Sequence, residues 1–199
     1  MFPRATKKTR EVRFFLAQLR QEKLGLEDVE CYFSALLSAG RSVTWVLEKA
    51  ETPLPHKRRY DAIYKAWHDA LSPGDRDLFD LFQNLRDLEV HSTNAAEVVS
   101  EIEMRPWNEM RRSGEHSYYG YSHVIASYVA MGMYGRDVTV GVPKYLFQLG
   151  GAAKKRGATD LFDRVKAGGQ IDILDACNRY VALLDDLLKH FVKALTPSA

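Results

Sequence analysis

An arginine, a carboxylate and a histidine stand in one short run, Arg86-Asp87-Leu88-Glu89-Val90-His91. These are residue types that bind and cleave phosphodiesters. An imidazole with an ordinary pKa of about 6.5 gives up and regains a proton near neutral pH. A guanidinium grips a phosphate through two parallel hydrogen bonds and stabilises the charge growing on it. A carboxylate one helical turn from the imidazole can orient it. The same residues are equally ordinary on a solvated helix face. There an i, i+4 Asp–His pair is common, and the helix dipole favours a histidine near the C-terminus.

The run closes a strongly amphipathic stretch. Leu78, Leu81, Phe82, Leu85 and Leu88 fall on one stripe of a helix turning about 100° per residue. Asp87 and His91 fall on the side this stripe leaves free, and Arg86 flanks it. Arg86 and His91 are about 140° apart, so one ideal helix does not aim both at one atom. A shared site needs the long arginine to curl round, a local distortion, or a second copy of the helix across a twofold axis. Ser72-Pro73-Gly74-Asp75 starts this helix: Ser72 caps, Pro73 fits the first turn and Asp75 favours the positive end. The pattern predicts that it continues toward Glu103 and stops at Pro106.

Other helices are predicted at about residues 6–23, broken by Gly25, and 27–50, ended by Thr52-Pro53-Leu54-Pro55. Gly40 lies inside the second of these, where glycine costs about 1 kcal/mol against alanine; close approach of another helix explains it. A third helix covers about 58–71, a short one about 160–166, and a last one about 171–195. That last helix carries Leu174, Cys177, Val181, Leu184, Leu188, Phe191 and Leu195 at near-heptad spacing. Between them, residues 117–149 are rich in Tyr, Val, Met and Gly. Val138–Val142 reads as a strand, entered by a turn at Gly135-Arg136-Asp137, with Ser122–Met133 as its partner. Pro143 confines that strand to an edge or an end. The expectation is a single domain over 1–199. It is mainly α: an up-and-down helical bundle of residues 6–103 plus 171–195, with a small antiparallel β-hairpin or sheet inserted at about 117–149.

At 199 residues, with 46% hydrophobic and 27% charged residues, the chain should fold around a good core. No apolar run is long enough to span a bilayer, and the charged start has no apolar signal region, so a cytoplasmic protein is expected. Cys31 and Cys177 fit as small buried hydrophobes in a reducing compartment. A net charge of +2 does not argue for nucleic acid by itself. The distribution is more suggestive: Arg4, Lys7, Lys8, Arg10 and Arg13 face only Glu11 near the N-terminus, with further clusters at 57–59, 105–112 and 154–156. Such clusters are ordinarily solvated. His116 and His123 with His91 match no metal-ligand spacing, and no metal or cofactor is expected. Six tyrosines between 118 and 145 suit sheet packing better than base stacking. Trp107 suits anchoring of its own loop. Gly150-Gly151 and Gly168-Gly169 lack the context of a nucleotide loop, and there is no nucleophile elbow or kinase signature.

An arginine, a polar residue, three more residues and then histidine, late in a helix of an all-α bundle, resembles the motif of the HEPN superfamily. That pattern is arginine, four to six residues, histidine, often with Asn, Asp or His after the arginine. Arg86, Asp87 and His91 match it, and the small-residue stretch Ser38-Ala39-Gly40-Arg41-Ser42-Val43 is similar to what precedes the motif in such chains. The resemblance covers roughly residues 6–103 and the last helix; the β region is not part of the minimal family bundle. It implies metal-independent RNA cleavage at a homodimer cleft. His91 would be the general base or acid, Arg86 would hold the phosphate, Asp87 would orient the imidazole or support Arg86, and Arg41 would be a further phosphate contact. A toxin or defence component with a cognate antitoxin fits the same resemblance. The alternative is a non-catalytic helical module whose motif face and hairpin bind a partner protein.

Overall fold

The computed structural model describes residues 2–21, 24–52, 56–91, 96–106, 139–149, 159–166 and 171–196. Helix α1 (Pro3–Leu19) begins with proline in its first turn and buries Ala5, Thr9, Val12, Leu16 and Leu19. Its first amides would be orphaned, and the Glu51 carboxylate takes them: Oε1 accepts from Arg4 N–H at 2.6 Å and Oε2 from Ala5 N–H at 3.0 Å. Helix α2 (Leu26–Val46) starts where Gly25 N–H donates to Asp28 Oδ2 at 3.1 Å. It widens into a π-turn over Leu47–Glu51, closed where Thr52 N–H and Oγ1 both donate to Leu47 O at 3.1 and 2.6 Å. That π-turn carries Glu51 to α1.

Helix α3 (His56–Ala70) turns sharply into α4 (Pro73–His91). Ser72 caps α4 as expected. Asp75 N–H donates to Ser72 Oγ at 3.2 Å, the hydroxyl donates back to Asp75 Oδ2 at 2.7 Å, and Arg179 reaches Asp75 Oδ1 at 2.9 Å. The Ser72 bond, then the Arg179 bond, hold the Asp75 carboxyl below the ordinary carboxylate range. Arg76 ties the corner together by donating to the carbonyls of His68, Asp69 and Leu71 at 3.2, 2.9 and 3.4 Å. It serves as the C-cap of α3.

The sheet has the strand order β1–β2–β3, with β1 Ala96–Pro106, β2 Thr139–Leu149 and β3 Ile171–Asp172, all antiparallel. One expectation is corrected here. The fourth helix does not continue toward Glu103; it ends at His91, and 96–106 is a strand. Among the described residues the strand at 139–142 pairs with β1, with Ala96 opposite Leu149 and Pro106 opposite Thr139; the expected partner Ser122–Met133 lies outside the described residues. The β insertion therefore begins about twenty residues earlier than the composition shift. Glu97, Glu101 and Glu103 alternate with Val98, Ile102 and Met104. This period of two, with β-branched residues, favours a strand over the helix that the charged residues alone suggest. Pro143 lies within β2 opposite Ile102, and β3 flanks β2 only at Leu146 and Phe147. Among the described residues the missing N–H of Pro143 thus faces no third strand.

Helix α5 (Thr159–Val165) is short, and α6 (Ile173–Leu195) is the longest described helix, entered directly from β3. Asp172 caps α6 by accepting from Asp175 N–H at 3.0 Å. The fold is thus a mainly helical bundle with a small antiparallel sheet before its last helix. Its core is one cluster to which α1–α6 and the sheet contribute. At its centre Tyr180 packs on Phe79 and Phe82, Phe82 on Phe33 and Phe147, and Trp67 on Phe79. Trp67 Nε1–H finds Asp186 at 2.8 Å. Cys177 is buried as expected; Cys31 is exposed, contrary to expectation, and both are free thiols. No described helix is long and apolar enough to cross a membrane.

Candidate functional site

The side of α4 opposite its leucine stripe is not left to solvent. Arg76, Asp80, Gln83 and Asp87 recur at i, i+4, i+7 and i+11, and each reaches a neighbouring helix. Arg76 holds the end of α3. Asp80 Oδ1 lies 2.9 Å from His68 Nε2 of α3. Gln83 Nε2–H donates to the Tyr180 hydroxyl of α6 at 2.7 Å, and its Oε1 lies 3.2 Å from Thr44 Oγ1 of α2. Asp87 Oδ1 accepts from Arg41 Nε–H of α2 at 3.0 Å.

Two of the four sequence candidates, Arg41 and Asp87, therefore meet. Their side chains are 37% and 55% exposed, so the pair sits at the rim of the bundle and can open at small cost. Arg41 also donates to Thr44 Oγ1 at 3.0 Å. Among the described side chains the partner of Asp87 is Arg41 rather than Arg86. Arg86, one residue earlier, is half-buried, and its Nε–H is enclosed with no hydrogen-bond partner among the described residues. His91 is the last residue of α4, and its side chain lies outside the described residues.

Sequence reasoning passed over His68. Tyr60, Tyr64 and His68, at i, i+4 and i+8 of α3, stack successively with centroids 5.5 Å apart, and Asp80 closes the row. Burial first, then the Asp80 carboxylate, raises the Tyr64 phenol to about 12 against the pull of Arg41. Burial raises Tyr60 and Tyr180 further, and Arg41 lowers both. One guanidinium thus acts on three phenols and on the motif carboxylate. The i, i+4 spacing from Tyr64 to His68 was visible in the chain. The pairing with Asp80 required the α3–α4 corner.

Gly40 makes this seam close. A β-carbon built there would lie 2.5 Å from Cε1 and 2.6 Å from the hydroxyl of Tyr180. The helix whose approach Gly40 predicted is α6. His116, His123, Trp107, Gly135-Arg136-Asp137, the paired glycines at 150–151 and 168–169, and the tyrosines from 118 to 134 lie outside the described residues. Comparisons with protein-family models, with curated proteins and with solved structures found no match.

Proposed function

We propose that this chain is a HEPN-like, cytoplasmic RNA-binding and RNA-cleaving protein that acts without a metal at a homodimer cleft. The observation that supports it best is Arg86 Nε, a buried donor with no acceptor among the described residues. An arginine kept half-buried with its Nε enclosed, at a cost of about 1–3 kcal/mol, is left to grip a phosphate through its terminal Nη groups. In this reading Arg86 holds the scissile phosphate. His91 takes the proton of the ribose 2′-hydroxyl as that oxygen attacks phosphorus, or delivers a proton to the departing 5′-oxygen. The separation of about 140° between the two on one helix is met by a second copy placing its own α4 alongside. Asp87 and Arg41, linked at 3.0 Å, form the rim: opening the pair frees Arg41 for a neighbouring phosphate. A cognate antitoxin that covers this rim is the partner such a nuclease calls for.

The test is cleavage of RNA by the purified protein in EDTA. His91→Ala and Arg86→Ala should each lower the rate by about a hundredfold or more, while Asp87→Asn costs less than about 1 kcal/mol of stability because its ion pair is exposed. Cleavage that survives either alanine variant refutes the proposal. The second reading, a non-catalytic module that binds a protein partner, is favoured by Trp45. This residue is 55% exposed on α2, one turn from Arg41. Under that reading RNA is never cleaved, and Trp45→Ala rather than Arg86→Ala abolishes partner binding.

A further inference from the structure

The outer face of α1 carries Lys7, Arg10 and Phe14 at i, i+3 and i+7, on one stripe. All three are exposed, and Phe14 has 56% of its surface in solvent while Val12, Leu16 and Leu19 of the same helix are buried. The fold uses neighbouring cations but not these. Lys8 pairs with Glu11 at 2.7 Å, and Arg13 donates to both oxygens of Asp185 at 2.7 Å. The side chains of Arg4, Lys7 and Arg10 have no ion-pair partner among the described residues. Residues 1–21 hold six Lys or Arg and one Glu on a chain of net charge +2, so the positive excess is concentrated on this helix.

We infer that this face of α1 is a binding strip for single-stranded RNA, with Arg4, Lys7 and Arg10 on phosphates and the Phe14 ring stacked on a base. The inference rests on the RNA reading above and deepens it by adding a contact surface away from the α4 motif. Two carboxylates lie near these cations, but Glu11 is paired with Lys8 and Glu51 accepts from the amides of α1, so the cations remain in excess and a polyanion is the partner that complements them. A flat ring set among those cations is the arrangement by which single strands are held without sequence preference. A membrane surface fits less well. An interfacial helix needs a broad apolar face, and the apolar face of α1 is already committed to the core.

The test is fluorescence anisotropy with a labelled 2′-O-methyl oligouridine, whose blocked 2′-hydroxyl prevents cleavage. The protein is titrated across a range of salt concentrations. Lys7→Ala/Arg10→Ala should reduce the slope of log affinity against log salt by about 1.4, since each single-strand phosphate contact contributes about 0.7. Phe14→Ala should weaken binding by between about fivefold and a hundredfold. These side chains are exposed, so circular dichroism of the variants should match the wild type. Affinity and slope unchanged in both variants, no binding by the wild type, or binding only to phosphatidylserine-containing vesicles overturns the inference. The two readings fail separately. RNA affinity lost in the α1 variants with no cleavage by any form leaves the strip and removes the nuclease. Cleavage that needs Arg86 and His91, with affinity indifferent to α1, does the reverse.

Discussion

Gly40→Ala sets two known effects against each other. On helix propensity alone the change stabilises by about 1 kcal/mol. The structure predicts the opposite sign. The new methyl would lie 2.5, 2.6 and 2.9 Å from Cε1, the hydroxyl and Cζ of Tyr180. That ring cannot swing away freely. It is fully buried, packed on Phe79 and Phe82, and its hydroxyl accepts from Gln83. Overpacking of this kind costs about 1–3 kcal/mol, and a retreat that breaks the Gln83 bond adds about 1 kcal/mol. The net expectation is a loss of about 1–3 kcal/mol, seen as a lower urea midpoint with an unchanged slope. A second variant isolates the cause. In a Tyr180→Leu background the space beside residue 40 is vacated, so Gly40→Ala should become neutral or stabilising. A Gly40→Ala protein as stable as the wild type, or costs that simply add in the double variant, would refute the account of the α2–α6 approach.

Burial gives an alkaline signature. Tyr60, Tyr64 and Tyr180 are held neutral above the ordinary phenol pKa of about 10, Tyr64 up to about 12. Their contribution to stability is complete below the unfolded value and is lost as pH rises through the folded ones, because the unfolded chain releases these protons first. Absorbance titration at 295 nm should therefore show them ionising only with unfolding; reversible titration of every tyrosine near pH 10 in the folded protein would contradict this. Glu51→Ala removes the acceptor for two amides of α1 and should cost about 1 kcal/mol, measured by thermal melting. An unchanged melting temperature would count against that cap.

Elements whose signals are local were readable from the chain. Ser72-Pro73-Gly74-Asp75 announced the start of α4, the near-heptad apolar residues announced α6, and Gly40 announced a close helix crossing. The strand β1 was hidden because Glu97, Glu101 and Glu103 suit a helix surface as well as an alternating strand, and only pairing with β2 decides between them. The candidate site was half legible. Residue types marked Arg86, Asp87 and His91, and Arg41 was marked by its small-residue neighbours. The Arg41–Asp87 pair joins residues 46 positions apart and the Gln83–Tyr180 bond joins residues 97 apart. Such contacts depend on how α2, α4 and α6 cross, which no spacing along one helix encodes. The same holds for His68, whose ordinary place on α3 gained a carboxylate only at the corner with α4.

Asp172 belongs to both the sheet and a helix. It stands opposite Leu146 as the last residue of β3, caps α6 through Asp175 N–H, and lies 4.0 Å from Lys144 across the strands. A one-residue slip of β2 would turn Phe147 out of the core and also carry Lys144 away from the residue that initiates α6. Strand pairing and helix initiation are therefore geared together. One residue thus closes the sheet and opens the longest described helix, so the chain passes from strand to bundle with no linker between them.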